Sequence, residues 1–217
     1  MVIVVWTLVL NGFIGHFSLV IGHSLDIPMS TSTSRMTVGE FLALPDDPNV
    51  RRELIHGELR EETVTTRNPR HAGCVTKLAA ALENWRTASK LEHVYIGTGD
   101  VRCRLPDTEE TLVGIDVGVF IGNEGIRQVS EDSQLTVAPV LAVEALSSTD
   151  THESVREKIR LYLSAGVAQV WIADPDFHVV TVYRRDRQPS SRNSDEVLTG
   201  DPELAGFNVR VASLFNC

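Results

Sequence analysis

Cysteine is scarce in this chain, and positive charge is outnumbered by negative. Only three cysteines occur in 217 residues, Cys74, Cys103 and Cys217. An odd, widely spaced set with no Cys-x-x-Cys pair argues against a disulfide framework and against a thiolate metal site. It favours a reducing compartment, the cytoplasm of a bacterial-type cell. Lys and Arg number 20 against 29 Asp and Glu, a formal net charge of −9. That balance argues against a general polyanion binder but leaves room for a local basic groove, because the local field matters more than the total. Internal repeats are absent, and no second block of composition follows residue 36. With 42% apolar and 23% charged residues, the body reads as one globular domain able to bury a full core.

No Lys or Arg precedes Arg35, although residues 1–27 are strongly apolar and open with MVIVVWTLVL. An export signal needs a positive n-region, and a membrane span needs an unbroken apolar run. Here Asn11, Gly12, Gly15, His16, Ser18, Gly22 and His23 interrupt it. Three readings stay open: an anchor, a cleaved signal, or an extension upstream of a start at Met29 or Met36. Residues 1–35 are therefore set apart from a domain at 36–217, and membrane contact follows only from the anchor reading.

Thr37-Val-Gly-Glu40 has the form of a capping box and predicts a short helix. Arg51 to Leu59 predicts two strands joined by a tight turn at His56-Gly57, with Glu53 in the first strand. Val75, Leu78, Ala79, Leu82 and Trp85 recur at helical spacing, and His71 stands at the start of that helix. A histidine there is either a cap or surface residue or a contact to phosphate or substrate. Val94 to Leu105 predicts a strand. Val113, Ile115, Val117, Val119 and Ile121 alternate with Gly114, Asp116, Gly118 and Phe120, which predicts a second strand with Asp116 between two glycines. Short strands are expected over 178–184, 196–199 and 207–211. Between them, 184–192 reads as a basic loop whose Arg184 and Arg185 are either substrate contacts or a solvated hairpin tip.

The most informative stretch is Val140 to Pro175. Val140-Leu-Ala-Val143 has the continuous apolarity of a strand buried on both faces, and Glu144 interrupts it. An ionised carboxylate is rarely left unpaired there, since desolvation costs several kcal/mol. A metal ion or a lysine is the expected partner. Lys158 follows on the next predicted helix with Tyr162 one turn on, so the two share a face. Lys158 is either this partner or a solvent-facing lysine, and Tyr162 either core or a substrate contact.

The order of these segments resembles a known family. ELIHGEL, a histidine ahead of a helix, a strand aspartate, VEALSST, a helix with Lys-x-x-x-Tyr, AGV and VWIADP together are similar to the Uma-type restriction endonucleases of the PD-(D/E)xK superfamily. The resemblance runs from about Met36 to Phe215. It implies an α/β (α+β) restriction-endonuclease-like core, a mixed central sheet flanked by helices in one domain. It further implies a catalytic set of Glu53, Asp116, Glu144 and Lys158. Asp116, Glu144 and the backbone carbonyl of Ala145 would bind Mg2+, or Mn2+ in its place. There are departures: Ile115 replaces the proline of the Pro-Asp pair, His56 the usual Asp or Asn, and Ser148 a proline. None removes an implied ligand. The expected activity is metal-dependent hydrolysis of nucleic acid, DNA in the first place, with a homodimer as one expected assembly. The rival is a cleavage-inactive module on the same fold that binds nucleic acid or a protein.

Overall fold

The computed structural model describes residues 7–10, 13–16, 35–63, 68–106, 108–131 and 134–215. Most of the apolar 1–27 segment and Cys217 lie outside these residues. The chain divides into two units, Met1–Ser34 and Arg35–Cys217. In the first, β1 (Thr7–Leu10) and β2 (Phe13–His16) pair antiparallel. Among the described residues no helix is long and apolar enough to cross a membrane.

The second unit opens with α1 (Val38–Leu42), whose capping box at Thr37 and Glu40 forms as predicted. It continues through β3 (Val50–Ile55), β4 (Glu58–Thr63), α2 (Pro69–Ala88), β5 (Val94–Arg104), β6 (Leu112–Ile121) and α3 (Asn123–Glu131). Then follow β7 (Leu141–Ala145), α4 (His152–Ser164), β8 (Gln169–Asp174), β9 (Val179–Arg184) and β10 (Arg187–Arg192). The chain closes with β11 (Val197–Gly200), β12 (Leu204–Arg210) and α5 (Ala212–Phe215).

Eight strands form one sheet in the order β10-β9-β8-β7-β6-β3-β4, with β5 also paired to β6. Among the described strands of this sheet, every strand pairing is antiparallel except β7 with β8. Parallel neighbours need a crossover, and α4 supplies it. The hairpin turn at His56-Gly57 takes φ of +51° and +77°, the paired left-handed conformation a tight two-residue β-turn requires.

Two cores flank the sheet. One packs Leu78, Leu82 and Trp85 of α2 against Val117, Val143 and Trp171, with Phe207 and Leu214 behind. The other packs Ile159 and Tyr162 of α4 against Ile115, Ala142 and Ile172. β6 departs from the simple alternation in its sequence. Val113 and Ile115 belong to the α4 core, whereas Val117 and Val119 belong to the α2 core. The change falls at Asp116, opposite a bulge in β5 where register slips between Thr98 and Val101. Bulges increase local twist, which redirects side chains on the neighbouring strand.

Three further differences have local causes. The basic stretch 184–192 is a hairpin: β10 pairs with β9. It is an edge strand, so the missing N–H of Pro189 is tolerated. Helix α3 is short and polar, with Ile126 and Val129 its large apolar residues, and polar contacts tie its turns, among them Glu124 with Arg127 and Gln128. The sequence before α5 carries no start signal, and the helix is held by burial of Leu214 and Phe215.

Candidate active site

The site is assembled from β3, β6, β7, α2 and α4. Glu144 sits one residue from the end of β7 at 7% exposure. Its Oε1 accepts from Tyr162 Oη at 2.6 Å and its Oε2 from Lys158 Nζ at 3.3 Å. Lys158 also donates to Glu53 Oε1 at 3.0 Å, so one ammonium bridges two carboxylates. Glu53 Oε1 further accepts the Gly114 N–H at 3.2 Å. The helical spacing of Lys158 and Tyr162 turns both toward β7, because the Ile159–Tyr162 side of α4 is the side buried against the sheet.

Asp116 is 4% exposed. Its Oδ2 accepts from the Ala145 backbone N–H at 2.9 Å and pairs with His71 Nε2 at 3.2 Å. His71 comes from the first turn of α2, where Asn68 caps the helix and Pro69 opens it. The glycine-flanked aspartate therefore points inward, not to solvent.

Burial is the largest influence on Asp116, Lys158 and Glu144, whereas for His71 the bond to Asp116 outweighs it. For Asp116 the His71 bond, the Ala145 N–H and Arg51 outweigh burial, and its pKa is lowered. His71 is raised, chiefly by its bond to Asp116. Lys158 is raised because Glu144 and Glu53 outweigh its desolvation. Glu144 is pushed up to about 7 by burial, with Asp116 adding to the rise and Lys158 opposing it. The thiols of Cys74 and Cys103 are pushed up to about 12 by burial, which leaves them inert core side chains.

Glu144 has a consequence for stability. Above pH 4.5 the unfolded chain releases a proton that the folded protein keeps until about pH 7. This stabilisation is complete below pH 4.5 and is lost as pH rises through 7. His71 has the same sign from its ordinary 6.5 upward, and Asp116 matters only as pH falls below its ordinary 3.8. In EDTA, the unfolding free energy should drop between pH 5 and 8 by on the order of 1–3 kcal/mol. Glu144→Gln should flatten most of that slope in urea denaturations across the range. An unchanged slope would contradict a proton held on Glu144.

Beside these residues lies a cleft of about 340 Å3, lined by Arg51, Asn68, His71, Thr98, Asp100, Asp116 and Ser147 among others. A smaller pocket of about 30 Å3 adjoins it between Asp116, Glu144, Ala145, Lys158 and Arg51. The structure thus brings together Glu53, His71, Asp116, Glu144, Ala145 and Lys158. Tyr162 is completely buried behind Glu144 and touches that carboxylate, not the open cleft. Arg184 ends β9 and Arg185 follows it, beside the start of β8, since Val170 pairs with Tyr183 and Asp174 with Val179. Arg184 donates to the Asp201 carbonyl and Arg185 to the Leu163 carbonyl. Sequence reasoning missed Arg51 and Asp100. Arg51 lies two positions before Glu53, hence on the same side of β3, and Gly99-Asp100 inside a strand marks a bulge.

A mixed α/β sheet of this order, with acids and a lysine gathered beside its one parallel pair, is a nuclease-like fold. A solved structure from Anabaena variabilis, described as "a putative nuclease belonging to DUF820", superposes with a TM-score of 0.70. It is 20% identical and covers 83% of this chain and 97% of its own, a likeness of fold. The family model described as "Uma2: Putative restriction endonuclease" matches residues 38–212, and the chain belongs to that family. No curated protein matches.

Proposed function

We propose that this protein is a Mg2+-dependent endonuclease that hydrolyses phosphodiester bonds, with DNA as its substrate. The observation that carries this is the convergence of Asp116 and Glu144, from neighbouring strands, on the pocket that also holds Lys158. Among the described residues no cluster of three or more His, Cys, Asp or Glu side chains has metal-binding geometry. Mg2+ does not require one. It is commonly held by one or two carboxylates and keeps several waters. The residues present fit that pattern. The 30 Å3 pocket has room for an ion or a single water, and Asp116 and Glu144 border it, with Glu62 and Asp150 also on its rim. The Ala145 N–H points at Asp116. In an extended strand a residue's N–H and C=O leave along the same edge, which directs the Ala145 carbonyl there too.

When bound, the ion makes water a better nucleophile near neutral pH and offsets charge at the phosphate. Lys158, fixed between Glu53 and Glu144, orients the attacking water and stabilises charge developing on phosphate oxygens. Glu53 holds Lys158 in place through its 3.0 Å contact. His71 keeps Asp116 ionised and turned toward the cleft.

One observation favours the rival reading of a cleavage-inactive binding module: both Glu144 oxygens are already occupied by protein donors. The two are separated by incubating purified protein with supercoiled plasmid, single-stranded DNA and RNA in Mg2+, Mn2+ or EDTA, alongside calorimetric titration with Mg2+. Cleavage in Mg2+ or Mn2+ and none in EDTA is expected. No cleavage of any substrate, together with no Mg2+ heat, would overturn the nuclease reading. A homodimer is part of the proposal only for double-strand cutting, because one chain supplies one site.

A further inference from the structure

We propose that Arg51 grips the scissile phosphate in this site, and that Asp100, carried on a strained β-bulge, aims it. The inference rests on the nuclease reading and adds a residue that the acidic set and its lysine do not include.

Arg51 borders both the large cleft and the small pocket beside Asp116 and Glu144. Its side chain is 27% exposed, enough to meet a ligand while remaining held. Among the described residues, its hydrogen bonds and ion pairs fall on one nitrogen. Nη2 donates to the Gly114 carbonyl at 3.0 Å and pairs with Asp100 at 3.1 Å and Glu53 at 3.4 Å. Nε is buried and, among the described residues, has no hydrogen-bond partner. An orphaned buried donor is costly, and such donors mark places where a ligand or water completes the bonding.

The support for Arg51 is purpose-built. Between Thr98 and Val101 the β5–β6 register breaks, and Gly99 and Asp100 take φ of +82° and +64°. Asp100 is a non-glycine residue in the left-handed region, which costs free energy and persists only where the surroundings impose it. Gly114 completes the arrangement across the ladder. A Cβ there would lie 3.2 Å from the Asp100 Cβ and 3.6 Å from Arg51 Nη2, so a side chain would crowd the pair apart.

Asp100, fixed by the bulge at 3.1 Å from Nη2, holds the guanidinium in one orientation. A guanidinium is the cation suited to a tetrahedral phosphate: planar, permanently charged, and able to donate two parallel bonds. Its neighbouring carboxylates raise its pKa further, so it remains a charged donor and not a proton carrier.

The test compares wild type with Arg51→Gln, Arg51→Lys, Asp100→Asn and the Arg51→Lys/Asp100→Asn double variant. Single-turnover cleavage is followed in Mg2+. Affinity for a short fluorescein-labelled DNA duplex and its separated strands is measured in Ca2+, with thermal melts to check folding. Arg51→Gln should slow cleavage about 100- to 1,000-fold, as loss of a donor to the developing charge does, and weaken binding about tenfold. Arg51→Lys keeps the charge without the fork and should recover only part of the rate. Asp100→Asn should slow wild type by about tenfold and leave the Arg51→Lys protein unchanged, because coupled residues are non-additive.

Rates and affinities for Arg51→Gln within about threefold of wild type would overturn the phosphate contact. If that variant does not fold, Arg51→Lys and Asp100→Asn carry the same comparison. An Asp100→Asn protein that melts earlier but cleaves equally well in both backgrounds would overturn the aiming role. If wild type binds DNA without cutting it, weaker binding by Arg51→Gln upholds the contact while the nuclease reading fails. If wild type neither binds nor cuts, both fail.

Discussion

Cleavage by an Asp116→Asn protein is expected to fall by at least about 1,000-fold in Mg2+, equivalent to about 4 kcal/mol of lost transition-state stabilisation. The fold should persist. Asparagine keeps an oxygen that can accept the Ala145 N–H, now 2.9 Å from Asp116 Oδ2, and occupies the same space between Gly114 and Gly118. What it removes is negative charge at the edge of the 30 Å3 pocket. Mg2+ depends on anionic oxygen ligands, so calorimetry should show the ion's heat lost together with plasmid nicking. His71 would lose the carboxylate that raises its pKa, and its titration by NMR should move back toward the ordinary value. Retention of wild-type cleavage by a folded Asp116→Asn protein would remove Asp116 from the mechanism.

Lys158→Met should have the largest effect on stability. The substitution leaves Glu53 and Glu144 without the ammonium that bridges them at 3.0 and 3.3 Å. Breaking a buried pair by removing one partner costs about 3–5 kcal/mol, because the other charge remains desolvated. At this site the cost should depend on pH. Glu144 already holds its proton to about pH 7, and without Lys158 opposing that rise it would hold it further. Neutral Glu144 needs no cation, so Lys158→Met should be milder at pH 6 than at pH 8. Adding Glu144→Gln should recover much of the loss at the higher pH. Urea denaturation of the single and double variants at both values tests this. Equal destabilisation at pH 6 and 8, or a loss below about 1 kcal/mol, would show that Lys158 is not the electrostatic partner of Glu144.

Much of the fold was legible because its signals are local. Thr37 and Glu40 close a capping box within four residues. His56-Gly57 needs only its own backbone to make a hairpin turn. The apolar spacing of Leu78, Leu82 and Trp85 marks a buried helix face whatever lies opposite. Where local pattern is weak, as in α5, or where an edge strand looks like a loop, as in β10, partners elsewhere in the chain decide the structure.

The site divides along the same line. A glutamate inside an apolar strand had to find a partner, and the helical spacing of Lys158 and Tyr162 supplied candidates for it. Those were matters of desolvation and periodicity, written into the sequence between Val140 and Pro175. No sequence rule brings Glu53, 91 positions before Glu144, to the same ammonium, turns Asp116 toward His71 and away from solvent, or leaves Tyr162 behind the carboxylate it serves. Nor does any rule place Asp100 against Arg51. Those follow from strand order and from a bulge opposite Asp116, because antiparallel pairing joins residues by register across the sheet and not by their distance along the chain.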